Sequence, residues 1–387
     1  MTDVLVSGLT KHYGDKPALR SLDLSVASGE FVTLLGPSGC GKTTTLRCLA
    51  GLERPSGGTI SLGGRVVVDT EGGVFVPPDK RHVGMVFQSY ALWPHMNVAE
   101  NVAYPLKVAG VGRADRRSRI REMLEAVDLA PYEQRPVTAL SGGQQQRVSL
   151  ARALAARPGI VFYDEPLSNL DTKLRYQMGQ QVRALHNQFE TTSVYVTHDQ
   201  EEAITLSDRI IVMNHGVIEQ QGTPQEVYDR PRSAYVADFM GFQNIVRGSV
   251  VGIGDDRADV RLHDSEIVVG AYTETPPPLG AEVSVAFRSD HVRLSQPGST
   301  GLGRVDGTIT RSTFVGNGYN LLVDAQGTPI RVRIGRSELD GRNRPAPAQG
   351  EGISFDVNPH RALVVDDESG QRRPYATEAV RVPVPTR

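Results

Sequence analysis

The 387-residue sequence predicts an α/β domain that contains buried parallel strands, followed by a separate all-β domain. In the first part of the chain, short apolar runs typical of buried strands alternate with longer segments of helical periodicity. From Ile245 onward the apolar runs are short, Gly, Pro and Asp separate them, and no long helix is evident, which favours one or two small barrels. The change of composition near Gly241 predicts domains at 1–240 and 241–366. We expect the polar, Pro-rich tail at 367–387 to be poorly ordered.

Composition restricts the class of protein. The formal net charge is −2 at pH 7, which gives no support for nucleic acid as a partner. No apolar run approaches membrane-spanning length, and Met1 to Leu9 have no signal-peptide pattern, so we expect a soluble chain. The two cysteines, Cys40 and Cys48, would lie about 12 Å apart along one helix, which is too far for a disulfide bond. Such a pair is typical of a reducing cytoplasm.

The best defined motif is Gly36–Thr43, which follows the apolar run Phe31–Leu35 and precedes a helix that we expect over Thr44–Leu49. A strand, a turn with the spacing GxxxxGK[ST] and a helix form a phosphate-binding loop. Glycines leave the backbone bare, so that successive N–H groups can point at a phosphate at the helix N-terminus. Lys42 supplies a cation for the outer phosphates, and the Thr43 hydroxyl can bind Mg²⁺. We predict that a nucleoside triphosphate contacts these residues: Pro37, Ser38, Gly39, Cys40, Gly41, Lys42, Thr43 and Thr44.

Cys40 lies inside this loop, at a helix N-terminus and beside Lys42. Both neighbours favour a thiolate, so we expect a lowered thiol pKa. Alkylation of Cys40 should then inactivate the protein, and bound nucleotide should protect the thiol.

A second glycine-containing helix start lies at Leu140–Arg147, and we expect the helix to continue to Arg157. Ser141 is a typical N-cap residue, and Gly142 and Gly143 leave the first-turn N–H groups bare. One chain therefore contains two helix starts that can receive an anion.

Polar side chains follow other apolar runs, at the position where open α/β sheets place their ligands. Gln88 follows Val83–Phe87, and Asp164 and Glu165 follow Ile160–Tyr163. Two adjacent buried carboxylates are costly unless they hold a metal or a proton. We therefore expect Asp164 to contribute to a Mg²⁺ site and Glu165 to face an attacking water molecule.

Three other features have two interpretations each. Tyr13 could be an ordinary turn aromatic or could stack on an adenine ring, and the sequence favours neither. The loop Ser89–Met96 contains the only Trp; its aromatic and Met residues suggest a docking surface, although core packing is the more frequent outcome. His198 follows the apolar run Thr192–Val196 and could be a core histidine with satisfied hydrogen bonds, but a position directly after a strand favours a role in the site.

In this order, the motifs resemble those of the ATPase subunits of ABC-type importers, and the similarity covers almost the whole chain. It identifies the following motifs: Walker A (Gly36–Thr43), Q-loop (Gln88), signature (Leu140–Gln144), Walker B (Ile160–Asp164), D-loop (Ser168–Asp171) and switch histidine (His198). The implied fold is an α/β P-loop NTPase, an ABC ATPase cassette at 1–240 with a helical subdomain at about 89–157. An all-β OB/TOBE-like regulatory domain at 241–366 would follow it, similar to that of importers for sugars, polyamines and ferric iron.

The resemblance implies ATP as the nucleotide, held between two cassettes in a head-to-tail pair. Tyr13 would stack on the adenine, and Mg²⁺ would be bound by Thr43, Gln88 and Asp164. Three residues would act in catalysis, with roles in polarising the attacking water and holding the γ-phosphate: Glu165, His198 and Lys42. The second copy would close over the nucleotide with its signature and D-loop residues: Ser141, Gly142, Gly143, Gln144 and Asp171.

The implied partners are a second copy of the chain and two transmembrane permease subunits, which would dock at Tyr90–Met96. A periplasmic or extracellular solute-binding protein would act through the permease, and the chain would lie at the cytoplasmic face of the cell membrane. The cargo would be a polyamine, ferric iron or a sugar, with Val86–Leu106 slightly closer to the polyamine and iron importers. Two alternatives stay open: a soluble ABC ATPase, and a binding protein whose β domain sequesters a regulatory partner.

Overall fold

The computed structural model describes residues 2–263, 265–295, 301–341 and 345–366. These residues form two compact units, one extending to Arg230 and the other beginning at Pro231. The division falls before the expected boundary at 240/241, because residues on both sides of Gly241 pack into the second unit. Ala237 and Phe242 share a small core there with Ala286, Leu363 and Val365.

Strands and helices alternate over most of the first unit. Its strands are β1 (Val4–Tyr13), β2 (Lys16–Val26), β3 (Phe31–Leu35), β4 (Gly57–Leu62), β5 (Arg65–Asp69), β6 (Val74–Phe75), β7 (Val83–Val86), β8 (Ile160–Asp164), β9 (Thr192–Thr197), β10 (Arg209–Asn214) and β11 (Val217–Gly222). Its helices are α1 (Lys42–Ala50), α2 (Val98–Val108), α3 (Arg113–Ala126), α4 (Gly142–Ala155), α5 (Thr172–Phe189), α6 (Gln200–Leu206) and α7 (Pro224–Asp229).

A six-stranded sheet in the order β11-β10-β3-β9-β8-β7 carries the site of interest. All neighbours pair in parallel except β10 and β11, which form a hairpin. Every residue of β3, β8 and β9 is buried, as the continuous apolar runs predicted. The carboxyl ends of these three adjacent strands therefore bring the loops that follow them to one edge of the sheet.

A second sheet in the order β2-β1-β4-β5-β6 is antiparallel and begins with the hairpin that the alternating pattern predicted. Its apolar face joins a core that also contains Val32 of β3, Leu46 of α1 and Ile211 of β10. Tyr13 is the last residue of β1 and pairs with Lys16 across the turn.

Helices α2, α3 and α4 pack together around a core that includes Val102, Leu106, Leu124 and Leu150. Asn97 caps α2 through the reciprocal hydrogen bonds with Glu100 that the sequence predicted. Among the described residues, none of the helices is long and apolar enough to cross a membrane.

The described part of the second unit is mostly β, with two six-residue helices. Its strands are β12 (Asn244–Ile253), β13 (Arg257–Leu262), β14 (Val268–Tyr272), β15 (Glu282–Phe287), β16 (Val292–Leu294), β17 (Arg304–Phe314), β18 (Gly318–Ala325), β19 (Thr328–Gly335), β20 (Gly352–Val357) and β21 (Leu363–Val365), and its helices are α8 (Ala234–Phe239) and α9 (Arg336–Gly341). Strands β12-β13-β14-β21-β15 close into a barrel, and β16-β20-β17-β18-β19 form an open five-stranded sheet. The predicted tail at 367–387 lies outside the described residues.

The structure confirms an α/β nucleotide-binding fold followed by a β domain. A five-stranded closed barrel is also the architecture of an OB fold. Both sheets of the second unit contribute to one core, with Val260 and Phe287 from the barrel and Val332 and Phe355 from the open sheet.

Candidate active site

The loop between β3 and α1 is shaped by its glycines. Gly39 and Gly41 have φ angles of 82° and 109°, which side chains rarely permit. A Cβ atom on Gly36 would lie 2.5 Å from the Met213 carbonyl oxygen, and one on Gly41 would lie 2.9 Å from that of Ala18. The close backbone approaches hold the loop in one conformation against its neighbours.

Helix α1 begins at Lys42, two residues before the expected start, and its first turn is open to an anion. Its N-cap residue is Gly41, which has no side chain to accept a hydrogen bond from the first N–H groups. Lys42 is 3% exposed, and its Nζ donates to the carbonyl oxygens of Gly36 and Pro37 at 2.7 and 2.9 Å. A buried ammonium and the positive end of a helix dipole therefore meet in one loop, as an outer phosphate group requires.

Thr43 and Asp164 meet directly across the edge of the sheet. The Thr43 hydroxyl donates to Asp164 Oδ1 at 2.9 Å, and Arg47 Nε lies 3.9 Å from the other carboxylate oxygen. Burial raises the pKa of Asp164, although the hydrogen bond from Thr43 and the charge of Arg47 oppose this effect. A hydroxyl beside a carboxylate is a donor set that suits Mg²⁺, which completes its shell with water and phosphate oxygens. Within the described ranges, no group of three or more His, Cys, Asp or Glu residues is placed to hold a metal ion.

Gln88 contacts the segment after β8. The side-chain Nε2 of Gln88 donates to Ser168 Oγ at 3.2 Å, and the backbone carbonyl oxygen of Gln88 accepts from Asn169 Nδ2 at 3.0 Å. The structure thus places this side chain against the D-loop, and its expected role as a Mg²⁺ ligand stays a prediction.

Glu165 and His198 form a pair at the same edge. His198 Nδ1 lies 3.1 Å from Glu165 Oε2, and the Glu165 side chain is the more buried of the two. Glu165 has a left-handed φ of 44°, and its N–H donates to the Val196 carbonyl oxygen at 3.1 Å. A strained backbone that neighbouring hydrogen bonds hold in place is a common device for orienting a reactive side chain.

The start of α4 is closed by its own side chains. Ser141 Oγ accepts from the Gln144 N–H at 3.4 Å, and the Ser141 N–H donates to Gln144 Oε1 at 3.0 Å. A Cβ atom on Gly143 would lie 2.8 Å from Leu174 Cδ2, so this glycine permits close packing on α5. In the part of the chain that the structure describes, no hydrogen bond or ion pair joins Ser141–Gln144 to the phosphate-binding loop.

The remaining candidates have local contacts. Asp171 caps α5 by accepting from the Leu174 N–H at 3.0 Å. Tyr13 is 50% exposed, with Lys11 Nζ 4.9 Å from its ring centroid. An exposed aromatic face could stack on a base, so that expectation stays a prediction.

The prediction of a lowered pKa for the Cys40 thiol is wrong. The residue is 3% exposed, and burial raises the pKa of its thiol, because the loss of water outweighs the opposing charge of Lys42. Cys48 is also buried, and its thiol pKa is raised to about 12. Both cysteines are free, as expected.

Two further residues, Arg152 and Asn101, determine the shape of the loop Tyr90–Met96. Arg152 is 7% exposed and donates to the carbonyl oxygens of Tyr90 and Ala91 at 2.8 and 2.5 Å, while its guanidinium lies 5.0 Å from the Trp93 ring centroid. Asn101 accepts from the Trp93 N–H at 2.9 Å and donates to backbone carbonyls in the same turn. The signal for Arg152 in the sequence was a charge within the alanine- and leucine-rich part of the helix after Ser141.

The phosphate-binding loop, the Thr43–Asp164 pair and the Glu165–His198 pair lie at the edge of one parallel sheet and define a P-loop ATPase cassette. The family model for ABC transporters matches residues 19–168. The sn-glycerol-3-phosphate import ATP-binding protein of Paracoccus denitrificans is 40% identical over 373 residues, covering 96% of this chain and 99% of that protein. The chain therefore belongs to the ABC transporter family, as an import ATP-binding subunit with ATPase activity.

Two other relatives agree with this assignment. The Fe(3+) ions import ATP-binding protein of Photorhabdus laumondii is 40% identical over 366 residues, which cover 95% of this chain and 98% of that protein. A dimeric post-hydrolysis structure of the ATP-binding cassette MJ0796, bound to ADP and Pi, has a TM-score of 0.50 and 33% identity. It covers 57% of this chain and 98% of the solved chain, so this likeness concerns the cassette.

Proposed function

We propose that this chain binds Mg-ATP between two copies of itself and uses its hydrolysis to energise solute import through a membrane permease. The observation that carries the proposal is the position of the Glu165–His198 pair at the same sheet edge as Thr43 and Asp164. That arrangement supports a role for Glu165 as a general base beside the groups that would hold the reacting phosphate.

Each residue has a distinct role in this proposal. Lys42 and the first N–H groups of α1 bind the outer phosphates, and Tyr13 stacks on the adenine. Thr43 and Asp164, with Gln88, would hold Mg²⁺, which when bound neutralises charge on the phosphate oxygens. Glu165 orients the attacking water and accepts its proton. His198 keeps Glu165 in place and contacts the γ-phosphate, for which its half-exposed ring is available.

The second copy supplies the signature segment. Ser141–Gln144 make no polar contact with the phosphate-binding loop within the described residues, so their role in binding requires another chain. The MJ0796 cassette is dimeric in its ADP- and Pi-bound state, which supports the same arrangement here. In the proposed homodimer, Ser141, Gly142, Gly143 and Gln144 of one copy close over the nucleotide of the other, with Asp171 at the interface.

The permease subunits dock at the loop Tyr90–Met96, at the cytoplasmic face of the membrane. Tyr90 and Ala91 both have left-handed backbone conformations, with φ angles of 64° and 49°. Arg152 and Asn101 hold this unusual backbone from the inside, and Trp93 packs on the ring of Tyr104 at 4.1 Å. A loop that is ordered by buried polar side chains provides a preformed surface for a partner.

The cargo is selected by other subunits. Relatives named for sn-glycerol-3-phosphate and for Fe(3+) are equally similar to this chain, at 40% identity over nearly its full length. We therefore propose a small polar or ionic solute without a preference between these classes.

The substitution Glu165→Gln tests the hydrolytic site. We expect Mg-ATP affinity to stay within about twofold, turnover to fall about 10²- to 10⁴-fold, and a nucleotide-bound dimer to accumulate. ATPase assays, equilibrium nucleotide binding and sedimentation velocity measure the three quantities. Glu125→Gln, at an exposed position on α3, is the control and should behave as the unmodified chain. Turnover at the normal rate in Glu165→Gln would show that another group is the base.

The substitution Arg152→Gln tests the docking surface. It replaces the guanidinium that holds the Tyr90 and Ala91 carbonyls with a shorter amide that cannot make both bonds, so ATP binding should persist while solute uptake by the complete transporter falls at least about tenfold. Arg157→Gln is the matched control, since Arg157 lies just after the same helix and pairs with Glu122 of α3 at the surface. Equal uptake by the two variants, both melting cooperatively, would refute docking at this loop.

A further inference from the structure

Arg175, in the first turns of α5, contacts two loops that belong to different strands of the site. Its Nη2 donates to the Leu170 carbonyl oxygen at 3.1 Å, in the D-loop after β8. Its Nη1 donates to Asp199 Oδ2 at 2.9 Å, in the turn after β9 that carries His198. One guanidinium group thus joins the segment that follows Glu165 to the segment that contains His198.

Glu202 of α6 also contacts the turn after β9 and the strand that precedes it. This carboxylate is 8% exposed and accepts from Tyr195 OH and Thr197 Oγ1, each at 2.8 Å. Its other oxygen lies 3.7 Å from Arg175 Nε, and the Asp199 N–H donates to Thr197 Oγ1 at 3.0 Å. The residues on both sides of His198 are therefore fixed, while its half-exposed ring contacts Glu165 and can also face a ligand.

These contacts form a closed ring around the site. From Glu165, the carbonyl oxygen accepts from Ser168 Oγ at 3.0 Å, and the D-loop continues to Leu170. Arg175 connects Leu170 to Asp199, the neighbour of His198, and His198 returns to Glu165 Oε2 at 3.1 Å. Arg175 lies in neither loop and bonds to both.

We propose that Arg175 is a positioning residue for ATP hydrolysis, which keeps the D-loop and the His198 turn in one register so that His198 stays against Glu165. The inference rests on the proposed roles of Glu165 and His198. An ordinary surface ion pair would stabilise the fold and leave the chemical step unchanged. A positioning residue affects turnover more than nucleotide binding, because a small displacement of the reacting groups slows the chemical step.

The chain offers a matched control on the same helix. Arg183 also lies on α5, and its side chain is 29% exposed, as is that of Arg175. It too donates to one backbone carbonyl, that of Leu206 at 3.1 Å, and to one carboxylate, Asp208 Oδ1 at 2.7 Å. These partners lie at the far end of α6, away from both site loops.

The experiment compares Arg175→Met, Arg175→Lys and Arg183→Met in the full-length chain. The readouts are kcat and KM for ATP hydrolysis, the nucleotide Kd and the melting temperature. We expect Arg175→Met to lower kcat about tenfold or more with KM and Kd within about twofold, while Arg183→Met keeps kcat at a similar loss of melting temperature. Arg175→Lys should recover only part of the loss, because one ammonium cannot reproduce the two-pronged contact.

Equal kcat values for Arg175→Met and Arg183→Met would overturn the inference. If Arg175→Met does not fold, Asp199→Asn provides the test, because Asn can still cap α6 but loses the ion pair with Arg175. We expect Asp199→Asn to lower kcat as well. Normal turnover in that variant would overturn the inference. Glu165→Gln distinguishes a failure of the positioning role from a failure of the proposed hydrolytic site. If that variant is inactive and Arg175→Met is normal, only the positioning role fails, whereas normal turnover in Glu165→Gln means that the proposed site itself is wrong.

Discussion

The two glycine-containing helix starts of the cassette differ in how their first N–H groups are satisfied. Helix α1 has Gly41 as its N-cap, and no side chain competes for the N–H groups of its first turn. Helix α4 has Ser141 as its N-cap, and Ser141 and Gln144 satisfy one another reciprocally. Both starts present the positive end of a helix dipole, but only α1 leaves that end fully open.

The two helix starts also differ in charge, and again α1 is the better suited to an anion. Lys42 is buried in the loop before α1 and brings a full cation to the phosphates, whereas Ser141 is exposed and the first turn of α4 contains only Gly and Gln residues. The comparison teaches that two helix starts with similar glycine patterns can have different roles in binding. In the proposed function, the α1 start binds a nucleotide within one chain, and the α4 start adds to that binding only when a second copy presents it.

Replacing each N-cap residue with alanine should therefore have unequal effects, the larger at α1. In Gly41→Ala the backbone must keep a φ of 109°, which costs about 1–3 kcal/mol, and the new Cβ would meet Leu19 and Ala18. We expect Mg-ATP affinity to fall by at least about tenfold. Equilibrium binding of nucleotide to the purified chain measures this, and unchanged affinity would contradict the shape argument for the loop.

In Ser141→Ala the helix cap is lost, so the free energy of unfolding should decrease by about 1 kcal/mol. Mg-ATP binding to a single copy should be unchanged, and dimer formation with Mg-ATP should weaken. Thermal unfolding and sedimentation velocity measure the two effects. If Ser141→Ala weakened nucleotide binding by the monomer as much as Gly41→Ala does, the two starts would act within one chain.

The smallest effect concerns Cys40, which lies just before the α1 start. Its thiol pKa is raised, so the thiolate forms only above the usual range of a free thiol, and the native protein should react slowly with iodoacetamide at neutral pH. The rate should increase as the pH rises and should be faster in the unfolded chain. Mass spectrometry of Cys40 peptides measures both, and faster labelling of the native form at neutral pH would contradict the dominance of burial.

The cassette could be predicted in detail because its strands are continuous apolar runs and its site residues follow them directly. The contacts of Arg152 and Arg175 could not be predicted, because an arginine on a helix is normally a solvated side chain. Their partners, the Tyr90 carbonyl and Asp199, become neighbours only in the folded chain. The Cys40 prediction failed for a related reason, since a glycine-rich loop gives no sign in the sequence that its thiol is buried.

The β domain was predicted only in outline. Strand β13 alternates buried and exposed residues within six positions, and the three-residue β21 closes the barrel from the far end of the unit. Three residues are too few to show a period, and pairing between distant segments is not visible in a local pattern. The two compact units divide before the change in composition, because Ala237 and Phe242 lie on either side of that change and both join the core of the second unit.

The central claim is that each nucleotide is bound by the α1 start of one copy and the α4 start of the other. It is tested most directly by mixing two defective chains in a Glu165→Gln background, one with Lys42→Met and one with Ser141→Arg. A mixed pair retains one complete site, which combines Lys42 of one chain with Ser141 of the other, whereas either variant alone has none. We expect sedimentation velocity to show an Mg-ATP-dependent dimer in the mixture and not with either variant alone; a mixture that stays monomeric, or either variant dimerising by itself as well as the parent, would contradict the claim.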